Sequence, residues 1–181
     1  MLKQIQERRS HFLKEFNGNK APDELIHSLI TSANWAPSHK LTLPFRFIVF
    51  TPQNLWILAQ NIEESYLDRH TEPNIDKLNK IKSIPSRLSH AIAIVLKPSN
   101  KVPLWEEYAS LGAAIQNMYL VLSESNNFGG YWTTGNEIDA PKMRDDLKLT
   151  SEEIHCGYFF IGGIDHKRTL AQRPDTDVQW I

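Results

Sequence analysis

Four short stretches carry the side chains best suited to chemistry. Arg8-Arg9-Ser10 sets two guanidinium groups beside a hydroxyl. That set suits a terminal phosphate, because arginine offers paired N–H donors to two oxygens at once. Taken alone, it fits a solvated basic patch on an N-terminal helix better, since short motifs recur by chance. Trp35-Ala36-Pro37-Ser38-His39-Lys40 leads into Leu43-Pro44-Phe45-Arg46-Phe47. A helix ends, a polar loop carries His39 and Lys40, and a strand starts after proline; binding groups often sit on such loops. The plain alternative is an ordinary connection with an exposed His39, and for Trp35 a core or interface aromatic.

The third stretch is Phe128-Gly129-Gly130-Tyr131-Trp132-Thr133-Thr134-Gly135. Its glycines would admit a ligand close to the backbone, and Thr133 and Thr134 add hydroxyls. It also fits a glycine-rich turn around a buried Trp132. The fourth is Gly112-Ala113-Ala114 with Gln116-Asn117. Small residues there allow close packing, of a flat ring or, more simply, of another helix.

Elements must position these groups. Met1 to Phe12 reads as a short charged helix. Pro22 opens a helix with Asp23 and Glu24 in its first turn, where acids suit the helix dipole. Leu25, Ile26, Leu29, Ile30 and Ala33 give it a buried face, and it ends near Ala36-Pro37. Phe45 to Phe50 reads as a strand, Pro52 to Leu67 as a helix, and Asn74 to Ile84 as an amphipathic, lysine-rich surface helix. His90 to Leu96 is an apolar, partly β-branched run that suits a buried strand. Pro103 to about Asn127 is the longest helical pattern and is apolar on more than one face, as at a subunit interface. Gly129-Gly130 breaks it, and Tyr131 to Thr133 follows as a short strand. Pro141 to Leu147 reads as a brief helix. Thr150 with Glu153 fits a capping box, and Cys156 to Ile164 reads as a strand. The 165–181 tail has no period; it is either loose or wrapped on a partner chain. The mixture predicts an α+β domain spanning residues 1–181, with a sheet flanked by helices.

Several classes are excluded. No Gly-x-Gly-x-x-Gly opens a helix after a strand, and there is no Walker A loop and no Gly-x-Ser-x-Gly elbow. The seven histidines are scattered, with no metal-ligand spacing. A net charge of −1 argues against a nucleic-acid partner. The single cysteine, Cys156, suits a reducing compartment. The start has no secretory signal and no apolar run is long enough for a bilayer, so the expected location is cytoplasmic. The 181 residues, 41% hydrophobic, suffice for one core.

In this order and spacing the stretches resemble the nitroreductase family, especially its short bacterial NAD(P)H-dependent members. The matching residues are Arg8-Arg9-Ser10, Ala36-Pro37, Pro44-Phe45-Arg46-Phe47, Gly112-Ala113-Ala114, Gly129-Gly130-Tyr131-Trp132 and Gly157-Tyr158-Phe159. Ala36-Pro37-Ser38-His39-Lys40, Lys101-Val102-Pro103 with Trp105-Glu106, and the Gly135-to-Arg144 stretch resemble the short subgroup. The resemblance implies a nitroreductase-like fold with a mostly antiparallel central sheet, a homodimer, and FMN at the interface. It implies that Arg8, Arg9 and Ser10 hold the phosphate and ribityl chain. It places Trp132, Thr133 and Thr134 on the same subunit's side of the site, and brings Trp35 and His39 from the second subunit. Leu122 to Asn127 corresponds to a region tied to nicotinamide binding. Three positions depart from the family pattern: Leu43 replaces a common glutamine, Phe45 a tryptophan, and Thr133 a basic residue.

The implied activity is a ping-pong transfer of hydride from NADH or NADPH, through flavin N5, to a nitroaromatic, quinone or related small acceptor. The flavin carries the redox chemistry, so no side chain need be a nucleophile, and the site holds no metal. His39 near the flavin or its phosphate would make FMN affinity pH-dependent. The alternative is a flavin carrier, sensor or partner protein without general reductase activity.

Overall fold

The computed structural model describes residues 2–135, 141–169 and 172–181. Residues 136–140 of the Gly135-to-Arg144 stretch and 170–171 of the tail lie outside the described residues. Among those described, seven α-helices and four strands follow in this order: α1 (Leu2–Glu7), α2 (Asp23–Ala33), β1 (Phe45–Phe50), α3 (Leu55–Arg69), α4 (Ile75–Lys82), α5 (Ile84–Arg87), β2 (His90–Leu96), α6 (Leu104–Glu124), β3 (Phe128–Thr133), α7 (Pro141–Asp146) and β4 (Ile154–Gly163). The strands form one antiparallel sheet in the order β1-β2-β4-β3. The fold is therefore the expected α+β arrangement, a central antiparallel sheet flanked by helices.

Strand alternation splits the core into two layers. Ala91, Ala93, Tyr131, Tyr158 and Phe160 pack with residues of α3, α4, α5 and α7. Ile92, Ile94, Phe159 and Ile161 pack with α2 and α6. All seven residues of β2 are buried, because helices cover both faces; a polar alternation would leave donors stranded in the core. Helix α6 lays Leu111, Ala114, Ile115, Met118 and Leu122 on the sheet, at the three-four spacing of a helical stripe. No described helix is long and apolar enough to cross a membrane.

Four boundaries differ from the sequence expectation, each for a local reason. The N-terminal helix stops at Glu7, so Arg8 to Phe12 lies outside any helix; the His11 N–H donates to the Gly130 carbonyl at 3.0 Å. The lysine-rich segment is two helices, with Ser83 between them and Pro85 in the first turn of the second. Helix α6 ends at Glu124, and the two glycines lie inside β3 rather than before it. Gly129 faces Gly162 across the ladder, where the His11 ring fills the space a side chain at 129 would take, its Nδ1 2.6 Å from an added Cβ. Half of the Thr150–Glu153 box forms, with the Thr150 N–H on Glu153 Oε2 at 3.0 Å while the Glu153 N–H goes to the Thr150 carbonyl at 3.2 Å, and it introduces β4, not a helix. Glu153 instead receives Arg46 of β1 through Nε at 2.6 Å and Nη2 at 2.8 Å.

Gly157 sets the end of the sheet where β3 meets β4. The β2–β4 register slips between Ala93 and Val95, which puts an extra residue into β4. Gly157 takes it up with φ +96°. A Cβ there would lie 2.2 Å from the Thr133 carbonyl oxygen, so only glycine lets the strand carrying Thr133 approach so closely.

Candidate functional site

Past α1, the side chains from Arg8 to His11 go to two sides. Arg8 and Ser10 face α6. The Arg8 guanidinium sits 4.8 Å from the Tyr119 ring centroid, and Ser10 Oγ lies 3.2 Å from the Tyr119 hydroxyl. That hydroxyl also accepts the Trp132 backbone N–H at 2.7 Å. Tyr119 thus ties the N-terminal segment to β3. Its ring is held edge-on against Phe159, with 4.8 Å between centroids.

Arg9 and His11 face the other way, onto the segment after β4. Arg9 Nε donates to the Thr169 carbonyl at 3.1 Å, and Nη1 donates to the carbonyls of Gln6 and Arg8 at 2.6 and 2.7 Å. His11 Nε2 accepts the Arg168 N–H at 3.3 Å, and burial pushes its pKa down. Arg168 in turn donates to the Ser10 carbonyl at 3.1 Å and pairs with Glu15 at 3.3 Å. The two arginines therefore differ. Arg9 is spent on carbonyls, whereas the Arg8 side chain has only its ring contact among the described residues.

The end of β3 divides in the same manner. Trp132 is 40% exposed, which disposes of a buried Trp132; its indole Nε1 donates to the Cys156 carbonyl at 2.7 Å. Trp132 and Thr134, with Cys156 of β4 and Tyr108 and Gly112 of α6, line a hollow of about 300 Å3. A side chain on Gly112 would meet nothing within 4 Å. Thr133 points to the opposite face of the sheet, where it lines a different cavity with Tyr131 and Tyr158.

Within one chain His39 is brought not to Tyr119 but to the other end of α6, two residues before Tyr108 of the hollow. His39 Nδ1 pairs with Glu106 in the first turn of α6, whereas Arg8 and Ser10 meet Tyr119. Those two positions on α6 are about 20 Å apart at 1.5 Å per residue. Trp35 is 82% exposed and Leu41 likewise, so neither is a core residue. The loop holds Lys40, Leu41 and Leu43 at φ of 54°, 52° and 42°, a left-handed conformation that non-glycine residues adopt at an energetic cost and that clusters in ligand-contacting loops. Ser38 braces it: its Oγ accepts the Leu43 N–H at 3.0 Å and lies 3.0 Å from Thr42 Oγ1.

Sequence reasoning missed Tyr119 and the Cys156 carbonyl. Tyr119 reads as one more apolar position of a long helix, and a backbone acceptor has no sequence signal. Among the described residues no cluster of His, Cys, Asp or Glu could hold a metal ion.

Comparisons with known proteins bear on the family and the fold. Residues 5–163 match the model of the Nitroreductase family. The chain is 25% identical over 172 residues to the Bacillus subtilis protein YfhC, a putative NAD(P)H nitroreductase, covering 93% of this chain and 87% of that one. It is 23% identical over 141 residues to Escherichia coli YdjA, described in the same words, covering 77% and 75%. Among solved structures, a nitroreductase-like family protein from Bacillus cereus superposes with a TM-score of 0.83 at 22% identity, over 96% of this chain and 90% of that one. An FMN- and NADPH-dependent nitroreductase, NfnB, gives 0.78 at 15% identity, over 99% and 97%. The family model spans most of the sequence and the same fold recurs in these structures; the chain belongs to the Nitroreductase family.

Proposed function

We propose that the protein is an FMN-dependent oxidoreductase, a homodimer that takes hydride from NADH or NADPH and reduces small acceptors such as nitroaromatics or quinones by a ping-pong mechanism. The observation that carries the reading is the convergence of Arg8, Ser10 and Trp132 on Tyr119, with the Arg8 guanidinium left without a carboxylate partner among the described residues. A cation and a hydroxyl held on one rigid ring suit a phosphate. The relatives named for NAD(P)H, and the neighbour described as FMN- and NADPH-dependent, support the same chemistry.

Arg8 and Ser10 would hold the phosphate and ribityl chain. Trp132 and Thr134, with the open surface at Gly112, would border the ring. Bound FMN would supply the two-electron chemistry, accepting hydride at N5 and passing it on. The protein's share is to bind, orient and exclude water. Backbone N–H groups at the end of β3 would meet the negative charge that reduction brings, by the logic of an oxyanion hole.

The placing of His39 at Glu106, about 20 Å along α6 from Tyr119, and the exposure of Trp35 support a site completed by a second chain. Exposed Trp35, Leu41, Trp105 and Tyr108 give that contact its apolar area. The described part of the tail, with Val178, Trp180 and Ile181 exposed, would wrap the partner.

The visible absorption spectrum of the purified protein, before and after NADPH is added without oxygen, tests the reading. A flavin spectrum that bleaches is expected. A bound flavin that stays oxidised with excess NADH and NADPH favours a carrier or sensor instead, and a colourless protein without FMN affinity refutes the flavin reading.

A further inference from the structure

Beside the candidate site lies a buried histidine that the proposed chemistry does not use. His11 is only 6% exposed, with its ring against Gly129. Its Nε2 accepts the Arg168 N–H at 3.3 Å. An accepting ring nitrogen carries no proton, so the neutral ring holds its proton on Nδ1, which has no hydrogen-bond partner among the described residues. The Nε2 bond is the inner one of a group that ties the chain after β4 to the N-terminal segment. The others lie at the surface: Arg9 Nε on the Thr169 carbonyl, Arg168 Nη1 on the Ser10 carbonyl, Lys167 Nζ on the Ser123 carbonyl at 2.9 Å, and the Arg168–Glu15 pair. Exposed ties of that kind contribute little each.

Protonation reverses the inner bond. The added proton goes to Nε2, which then points a donor at a backbone N–H that can only donate. It also puts a cation among cations, Lys167 and Arg168 after β4 and Arg9 on the histidine's own segment. Burial above all, with Arg168 and Lys167, lowers the His11 pKa below 6.5, against the pull of Glu15 and the Arg9 carbonyl. Around the same pocket α1 adds Glu7, paired with Lys3 at 3.8 Å; the lining residues of α6 add only the Tyr119 phenol, and those of β3 add no charge.

We infer that His11 is a proton-operated clasp: neutral, it holds residues 167–169 on the segment 8–10; protonated, it lets them go. The closed ring is harder to protonate than the open one, so the clasp is complete above pH 6.5 and is lost as pH falls through the lower, closed-state value. In the closed state Ser10 is held from two sides, its Oγ by the Tyr119 hydroxyl and its carbonyl by Arg168. Opening therefore loosens the segment proposed to hold the phosphate. The clasp itself does not rest on the flavin reading.

Amide hydrogen exchange of the purified full chain tests the clasp, read by mass spectrometry on peptides covering residues 165–169 and corrected for the intrinsic effect of pH on exchange. Protection there should fall about tenfold between pH 8 and pH 4.5, the equivalent of a coupling of about one pKa unit, while the peptide covering β2 stays protected. His11→Gln keeps an acceptor near the place of Nε2 and takes no charge, so its protection should stay high at both pH values. His11→Leu removes the acceptor and should leave the segment unprotected at both. Should His11→Leu fail to fold, the wild type and His11→Gln alone decide. Wild-type protection that does not change with pH, the same fall in His11→Gln, or an equal loss across β2 would each overturn the proposal.

Discussion

Ser10 Oγ and the Tyr119 hydroxyl lie 3.2 Å apart, and the same hydroxyl accepts the Trp132 N–H at 2.7 Å. One phenol thus fixes two parts of the candidate site that are far apart in sequence. Tyr119→Phe keeps the ring under Arg8 and removes both bonds. Loss of a net bond of about 1 kcal/mol weakens FMN binding about fivefold, read by quenching of FMN fluorescence. An unchanged affinity means that Tyr119 does not position the site.

Arg8 and Arg9 should separate cleanly. Arg8→Gln removes the guanidinium that faces Tyr119 and should weaken FMN binding roughly thirtyfold, the equivalent of about 2 kcal/mol for a charged hydrogen bond. Arg9→Gln cuts the bond to the Thr169 carbonyl. It should leave FMN affinity within about twofold and make the segment after β4 more open to proteolysis. Limited trypsin digestion beside an FMN titration distinguishes the two, and equal FMN losses would contradict the two-sided assignment.

Gly112 looks onto open space within one chain, so a large side chain there should fold. If that surface borders the flavin ring or the partner chain, Gly112→Phe should abolish FMN retention, or dimerisation, with little change in the far-ultraviolet spectrum. Size-exclusion chromatography and the visible spectrum read both. A yellow, dimeric Gly112→Phe protein would remove Gly112 from the site.

Stability should fall with acid in two stages. Burial pushes the His90 pKa below 6.5, against the opposing pull of Asp23. The unfolded chain then takes up the proton first, so this contribution is full above pH 6.5 and is lost as pH falls further. The Arg46 guanidinium holds the Glu153 carboxyl down at about 2 against an ordinary 4.5, so its contribution is full above pH 4.5 and fades toward pH 2. Calorimetric melting temperatures should decline from pH 7 to 5, less steeply in His90→Asn, and decline again below 4.5, less steeply in Glu153→Gln. A flat profile from pH 7 to 5 would show that His90 is not held neutral by the fold.

The sequence by itself determined much of this protein. The run His90 to Leu96 reads as a buried strand, and the stripe through Leu111, Ile115, Met118 and Leu122 reads as a long helix with a buried face; both are found. These patterns are local, written in side chains a few residues apart. Arg8-Arg9-Ser10 was legible as two cations beside a hydroxyl, which alone fits a solvated basic patch better than a phosphate clamp. Which arginine lies on Tyr119 was not legible, because that depends on where α1 stops and on the bond from His11 to Gly130. The glycines at 129 and 130 read as a helix breaker and a ligand approach, yet Gly129 makes room for the His11 ring. Tyr119, the Cys156 carbonyl and the pairing of His39 with Glu106 came only with the tertiary structure. They join residues far apart along the chain, and no local periodicity records which distant surfaces meet when the sheet forms.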